Sequence, residues 1–137
     1  MPRITGRFGP GETPLIDVEI GYPTGLTAPG LSAVSLMVPL LIDTAARFTH
    51  IAKDVADALS LIVIGSARVS GSTANAIVET YLADLRFPST TAAWSSLELR
   101  QFPNPGPRYR GVLGMDILRR GTLYVDGPRG EFTLTFP

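Results

Sequence analysis

The sequence predicts a mostly β protein with one or two short helices, folded as a single domain over residues 1–137. Three observations carry this reading. Short runs alternate apolar with polar side chains, the period of a strand with one face buried. Fourteen glycines and twelve prolines punctuate the chain, yet no proline falls between Leu40 and Phe87, so the longest regular stretch belongs there. A single segment, Ala52 to Ser60, has helical spacing.

Taken in order, Pro14 to Gly21 reads as the first strand, with Ile16, Val18 and Ile20 alternating against Leu15, Asp17 and Glu19. Tyr22 to Gly30, rich in Pro, Gly and Thr, is a loop or wide turn. Val34 to Asp43 is apolar almost throughout and reads as a strand buried on both faces, with Pro39 at an edge or bend. In the helix, Ile51, Val55, Ala58 and Leu59 share one face while Lys53, Asp54 and Asp57 point outward. The apolar strand Leu61 to Ile64 follows. Gly71-Ser72-Thr73-Ala74-Asn75 then turns the chain between two extended arms, Ser66 to Ser70 and Ala76 to Phe87. Ser95 to Phe102 alternates as a further strand, and Pro103 to Pro107 supports neither helix nor ladder. Gly111 to Met115 is a short strand and Asp116 to Arg120 one helical turn with Asp116 as N-cap. Thr122 to Val125 and Glu131 to Phe136 close the chain as strands, the last with Phe132, Leu134 and Phe136 on one face.

The bulk properties exclude several classes of function. With 45% hydrophobic and 18% charged residues, the chain has enough apolar surface for a folded core. Twelve basic residues balance twelve acidic ones, which leaves no net field for nucleic acid or an anionic membrane, so neither is expected as a partner. There is no cysteine, hence no disulfide, thiol nucleophile or thiolate metal site. His50 is the sole histidine and reads as a surface or helix-start residue, so no metal and no cofactor is expected. No apolar run approaches the roughly 20 residues that span a bilayer, and the first residues lack the apolar stretch of a secretory signal. A cytoplasmic protein is the expectation.

The chemistry concentrates at Leu40-Leu41-Ile42-Asp43-Thr44-Ala45-Ala46, where a carboxylate ends an apolar strand. A carboxylate in that position needs a reason, because leaving it buried and unpaired is costly. Asp43 either caps the following turn or reacts. Well downstream lies Gly111-Val112-Leu113-Gly114-Met115-Asp116-Ile117-Leu118, with Trp94 and Tyr81 between the two as core or hairpin-base packing.

These two motifs, in this order and with the hairpin between them, resemble the retropepsin-like aspartic proteases, the family of retroviral, retrotransposon and related bacterial single-lobe enzymes. The likeness runs from about Pro14 to Phe136. Ile42-Asp43-Thr44-Ala45-Ala46 stands at the family's Asp-Thr/Ser-Gly-Ala motif, and Val112 to Leu118 at its apolar-apolar-Gly-x-Asp/Asn-x-Leu segment. The resemblance implies a closed, barrel-like β fold with Asp43 as the catalytic residue and Thr44, Ala45 and Ala46 as its support. It implies a flap made of Val69, Ser70, Gly71, Ser72, Thr73, Ala74 and Asn75, and structural roles for Gly114 and Asp116. One such motif in a one-lobe chain implies a homodimer that brings two Asp43 carboxylates together, acting on a peptide or unfolded protein substrate. Two departures stand out: Ala45 replaces the family glycine, and Arg47 stands where a small polar or acidic residue is usual. They keep a second reading open, an inactive retropepsin-like dimer that binds extended peptides.

Overall fold

The computed structural model describes residues 1–9, 13–30, 34–70, 75–103 and 105–137. The elements run β1 (Arg3–Gly9), β2 (Thr13–Gly21), β3 (Ser35–Ile42), β4 (His50–Ile51), α1 (Lys53–Ala58), β5 (Val63–Ser70), β6 (Asn75–Arg86), β7 (Ala93–Gln101), β8 (Gly111–Leu113), α2 (Met115–Leu118), β9 (Thr122–Asp126) and β10 (Glu131–Thr135). The strands form one sheet in the order β5-β6-β7-β4-β8-β3-β2-β1-β10-β9. An added pairing of β2 with β6, Glu19 opposite Arg86, Ile20 opposite Leu85 and Gly21 opposite Asp84, closes β6-β7-β4-β8-β3-β2 into a ring. The protein is therefore all-β and barrel-like, with two short helices.

The apolar alternations fill the inside of this ring. Ile16, Val18 and Ile20 of β2 meet Val38, Leu40 and Ile42 of β3, Tyr81, Ala83 and Leu85 of β6, and Leu99 of β7. Phe87, Trp94 and Phe136 pack at one end with centroids 5.0–5.8 Å apart, two pairs edge-to-face and one stacked. Tyr81 is buried and donates its hydroxyl to Glu79 Oε2 at 3.1 Å; burial, then that carboxylate, pushes its pKa up.

Several expectations are corrected by this arrangement. The chain begins its strands at Arg3, not at Pro14. The unforeseen β1 pairs with β10 from Arg3–Thr135 to Arg7–Glu131 and hands over to β2 at Phe8 and Gly9. β3 is buried on one face only: Val38, Leu40 and Ile42 point inward, while Met37 is exposed and Pro39 and Leu41 are half-buried on the other face, because the barrel has a single inside. Leu36, at the start of the strand, is exposed as well. Pro39 does lie where no ladder bond is needed. Its carbonyl accepts from Arg110 N, and the pairing with β8 starts only at Leu41. The run Leu61 to Ile64 buries Leu61 alone. Val63 and Ile64 open the long β5 and are exposed, at the free edge of the sheet. On α1 it is Ala56, not Ala58, that joins Val55 inside. His50 is no surface residue but a buried member of β4, paired with Arg100 and Val112. Asp116 is not an N-cap: Gly114 takes that position and Asp116 lies within the first turn of α2. Finally, Phe132, Leu134 and Phe136 face this chain's own core, and β10 is paired on both edges, by β1 and β9. No edge of that strand remains to pair with a second chain.

Candidate functional site

Asp43 follows the last residue of β3 and is held from three sides. Its backbone N–H donates to Leu113 O at 3.0 Å, extending the parallel pairing of Ile42 with Leu113. Its carbonyl accepts from Ala46 N at 3.3 Å, which closes a tight turn. Its Oδ1 accepts from Ala45 N at 2.9 Å, the local bond by which Asp stabilises such turns. The capping role is thus real, yet it uses one oxygen. Oδ2 has no hydrogen-bond partner among the described residues. Thr44 is exposed, and its hydroxyl has no partner among them either.

The second motif locks this turn from behind. Met115 N donates to Ala46 O at 2.7 Å and Asp116 N to Arg47 O at 3.1 Å. Asp116 accepts Thr49 N at Oδ2 (3.0 Å) and Thr49 Oγ1 at Oδ1 (2.7 Å). The Thr49 hydroxyl in turn accepts from Gly114 N at 3.1 Å. Thr49 is fully buried, and every polar atom of this cluster is satisfied, the condition under which a buried polar network rigidifies a site. Gly114 is required by space rather than by backbone angle. Its φ of −98° suits any residue, but a Cβ there would sit 2.5 Å from the Phe48 carbonyl. At Gly111 a Cβ would collide with the His50 carbonyl.

In front of Asp43 opens a cleft of about 760 Å³. Asp43, Ala45 and Ala46 form part of its lining, and Arg47, Phe48 and His50 continue it along the same loop. Arg68, Val69 and Ser70 contribute from β5, Arg100, Phe102 and Pro103 from the end of β7 and the loop after it, and Val112 from β8. The expected site residues Val69 and Ser70 therefore share a cleft with Asp43. Asn75 opens β6 opposite Ser70, while Gly71, Ser72, Thr73 and Ala74 lie outside the described residues. Ala45 is exposed, and it is not among the residues with positive φ, so its methyl costs no backbone strain.

Within the cleft wall, the Arg100 guanidinium lies 3.7 Å from the centroid of the Phe48 ring, and Arg47 lies 5.6 Å from it. His50 Nδ1 is 2.8 Å from Phe48 O, a bond in which only the nitrogen can donate, so Nε2 carries the free lone pair. Burial holds the His50 pKa below its usual value and outweighs the hydrogen bond to Phe48 that pulls it up. His50 is a neutral packing residue here. Thr49, Arg68 and Arg100 were not singled out from the sequence. No spacing marks them, since Arg68 and Arg100 converge from distant strands and Thr49 finds its partner in Asp116, far along the chain.

No protein-family model matches the chain, and no curated protein does. Among solved structures it is similar to the crystal structure of a retropepsin-like aspartic protease from Rickettsia conorii. The TM-score is 0.60 at 13% sequence identity, and the match covers 98% of this chain and 91% of that one. At that identity the likeness establishes the fold: this chain has a retropepsin-like all-β architecture over nearly its full length. Among the described residues no helix is long and apolar enough to cross a membrane.

Proposed function

We propose that the chain is the protomer of an aspartic endopeptidase in which two copies bring Asp43 together across a two-fold axis. The observation that carries this is the state of Asp43: its backbone is pinned between β3 and β8, one carboxylate oxygen holds the turn, and the other has no partner among the described residues at a cleft shared with β5. Two carboxylates brought to about 3 Å share a proton. The ionised one takes a proton from a water as its oxygen attacks the scissile carbonyl carbon. The protonated one gives its proton to the carbonyl oxygen. Collapse of the resulting diol breaks the C–N bond, and a proton passes to the leaving amine. Thr44, exposed and without a partner among the described residues, would bond across the axis, and the hairpin of β5 and β6 serves as flap.

Substrate binding follows from the sheet. β5 is an edge strand whose Arg68–Ser70 segment lines the cleft, so an extended peptide can pair along it next to Asp43. The same observation supports the second reading, a peptide-binding dimer without cleavage. Ala45 favours that reading, because its methyl lines the cleft where the family has glycine.

The test is to incubate a denatured protein mixture with wild type and with Asp43→Asn from mildly acidic to neutral pH and sequence the new termini. New termini with wild type that vanish with Asp43→Asn are expected. Termini that persist in the variant, or none with either wild type or Ala45→Gly, would overturn the protease.

A further inference from the structure

The chain carries no net charge, but its cleft does. Arg47, Arg68 and Arg100 line it against the single carboxylate of Asp43, so three charges less one leaves a net of two positive with Asp43 ionised. Elsewhere arginines find acidic partners: Arg7 with Glu131, Arg86 with Glu19, Arg110 with Asp54, Arg129 with Asp126. Among the described residues no ion pair joins any of the three cleft arginines to a carboxylate. Arg100 is the most telling. Its guanidinium carbon lies over the Phe48 ring, 3.7 Å from the centroid, its Nε is buried without a hydrogen-bond partner, and it donates no side-chain bond to the protein among the described residues. A guanidinium fixed on a ring has already lost much of its rotamer freedom, and its planar fork fits a carboxylate with two parallel bonds.

We propose that this cleft selects peptides by a carboxylate, with Arg100 as the specificity-determining residue and Arg47 and Arg68 adding to the field. The carboxylate is an Asp or Glu side chain close to the bound bond, or the terminal carboxylate of the peptide. Phe48, Phe102 and Val112 offer an apolar neighbour beside it. The inference rests on the peptide-binding reading of this site. A nucleic-acid phosphate is the less apt occupant, since Asp43 stands in the same cleft and the edge of β5 supplies backbone groups that match a peptide.

The experiment uses Asp43→Asn protein and fluorescence anisotropy. The probes are fluorescein-labelled, C-terminally amidated nonapeptides with a central apolar pair flanked by Glu, Gln or Lys. The Gln peptide is also made with a free carboxylate, and a single-stranded oligonucleotide of nine residues is the phosphate control. The Glu peptide is expected to bind about tenfold or more tightly than its amidated Gln counterpart, with Lys weakest. If the terminal carboxylate is the source, the free-acid Gln peptide shows the gain instead. Arg100→Gln should erase the preference, while Arg100→Lys, which keeps the charge and the stem, should retain part of it. Equal affinity for all the peptides, a preference unchanged in Arg100→Gln, or tightest binding to the oligonucleotide would overturn the proposal. The two readings fail separately. Asp43-dependent cutting of Glu and Gln peptides at equal rates removes the carboxylate inference and leaves the protease. Selective binding with no cutting by wild type leaves the inference and removes the protease.

Discussion

Thr49 and His50 are adjacent buried residues with opposite solutions to the same problem. Thr49 satisfies its hydroxyl completely, giving to Asp116 and accepting from Gly114. His50 satisfies one nitrogen through Phe48 O and leaves Nε2 buried without a partner. Burial depresses the folded pKa of His50, so the unfolded chain takes up its proton first as pH falls through about 6.5. Stability from this residue is therefore complete above that pH and declines below it, toward the depressed folded value. Thermal unfolding should show Tm falling between pH 7 and 5, ahead of the carboxylates, which titrate lower. In His50→Asn, whose side-chain amide can still reach the Phe48 carbonyl, that part of the slope should disappear. An unchanged slope would mean that His50 is not the titrating group. The same scale settles the question of Ala45. Without positive φ there, replacing it by glycine relieves no strain, so any gain in cutting by Ala45→Gly would come from space in the cleft.

At the scale of elements, the site is made where β8 and α2 meet the turn after β3. Three backbone bonds, Asp43 N to Leu113 O, Met115 N to Ala46 O and Asp116 N to Arg47 O, stitch segments about 70 residues apart in sequence. The close approach is possible because Gly114 has no side chain to hold the strands apart. Gly114→Ala should therefore cost about 1–3 kcal/mol by overpacking, measured by urea unfolding. Any cleavage should fall further than stability accounts for, because Asp43 moves with the turn. A variant as stable and active as wild type would show that the loop yields freely. The hairpin of β5 and β6 is built oppositely. Its β6 arm is anchored in the core by Tyr81, Ala83 and Leu85, but Val63 and Ile64 of β5 and Ile77 near the tip are exposed, so the β5 edge and the tip gain little from packing.

For the whole molecule, the position of β10 decides how a dimer could form. Between β1 and β9 it has no edge to give, and Phe132, Leu134 and Phe136 are inside the protomer. Phe132→Ala should thus destabilise the protomer itself by about 3–5 kcal/mol. If the variant only dissociated a dimer and left the fold intact, this account of the terminal strand would fail. The open edge at that end belongs to β9, where Tyr124 and Val125 are exposed. Since catalysis as proposed needs two copies of Asp43, sedimentation at about 100 μM should show a dimer, and monomer alone would remove its basis.

By itself the sequence determined the kind of fold, most strand positions and the place of Asp43. These are local matters: period-2 alternation in β2, β7 and β10, a single amphipathic helix, and turn residues whose backbone preferences act within a few positions. Its weak spots were local too. β1 carries two glycines among few apolar residues, β4 is two residues long, and a run such as Leu61 to Ile64 reads as buried whether or not a partner covers it. Only the tertiary structure decided that β10 is paired on both edges, by β1 and β9. It alone brought Thr49 to Asp116 and Arg68 and Arg100 to Asp43, across 67, 25 and 57 positions. Such meetings depend on strand order and register, which are set by how every apolar face is buried at once, and no short pattern of residues records that sum.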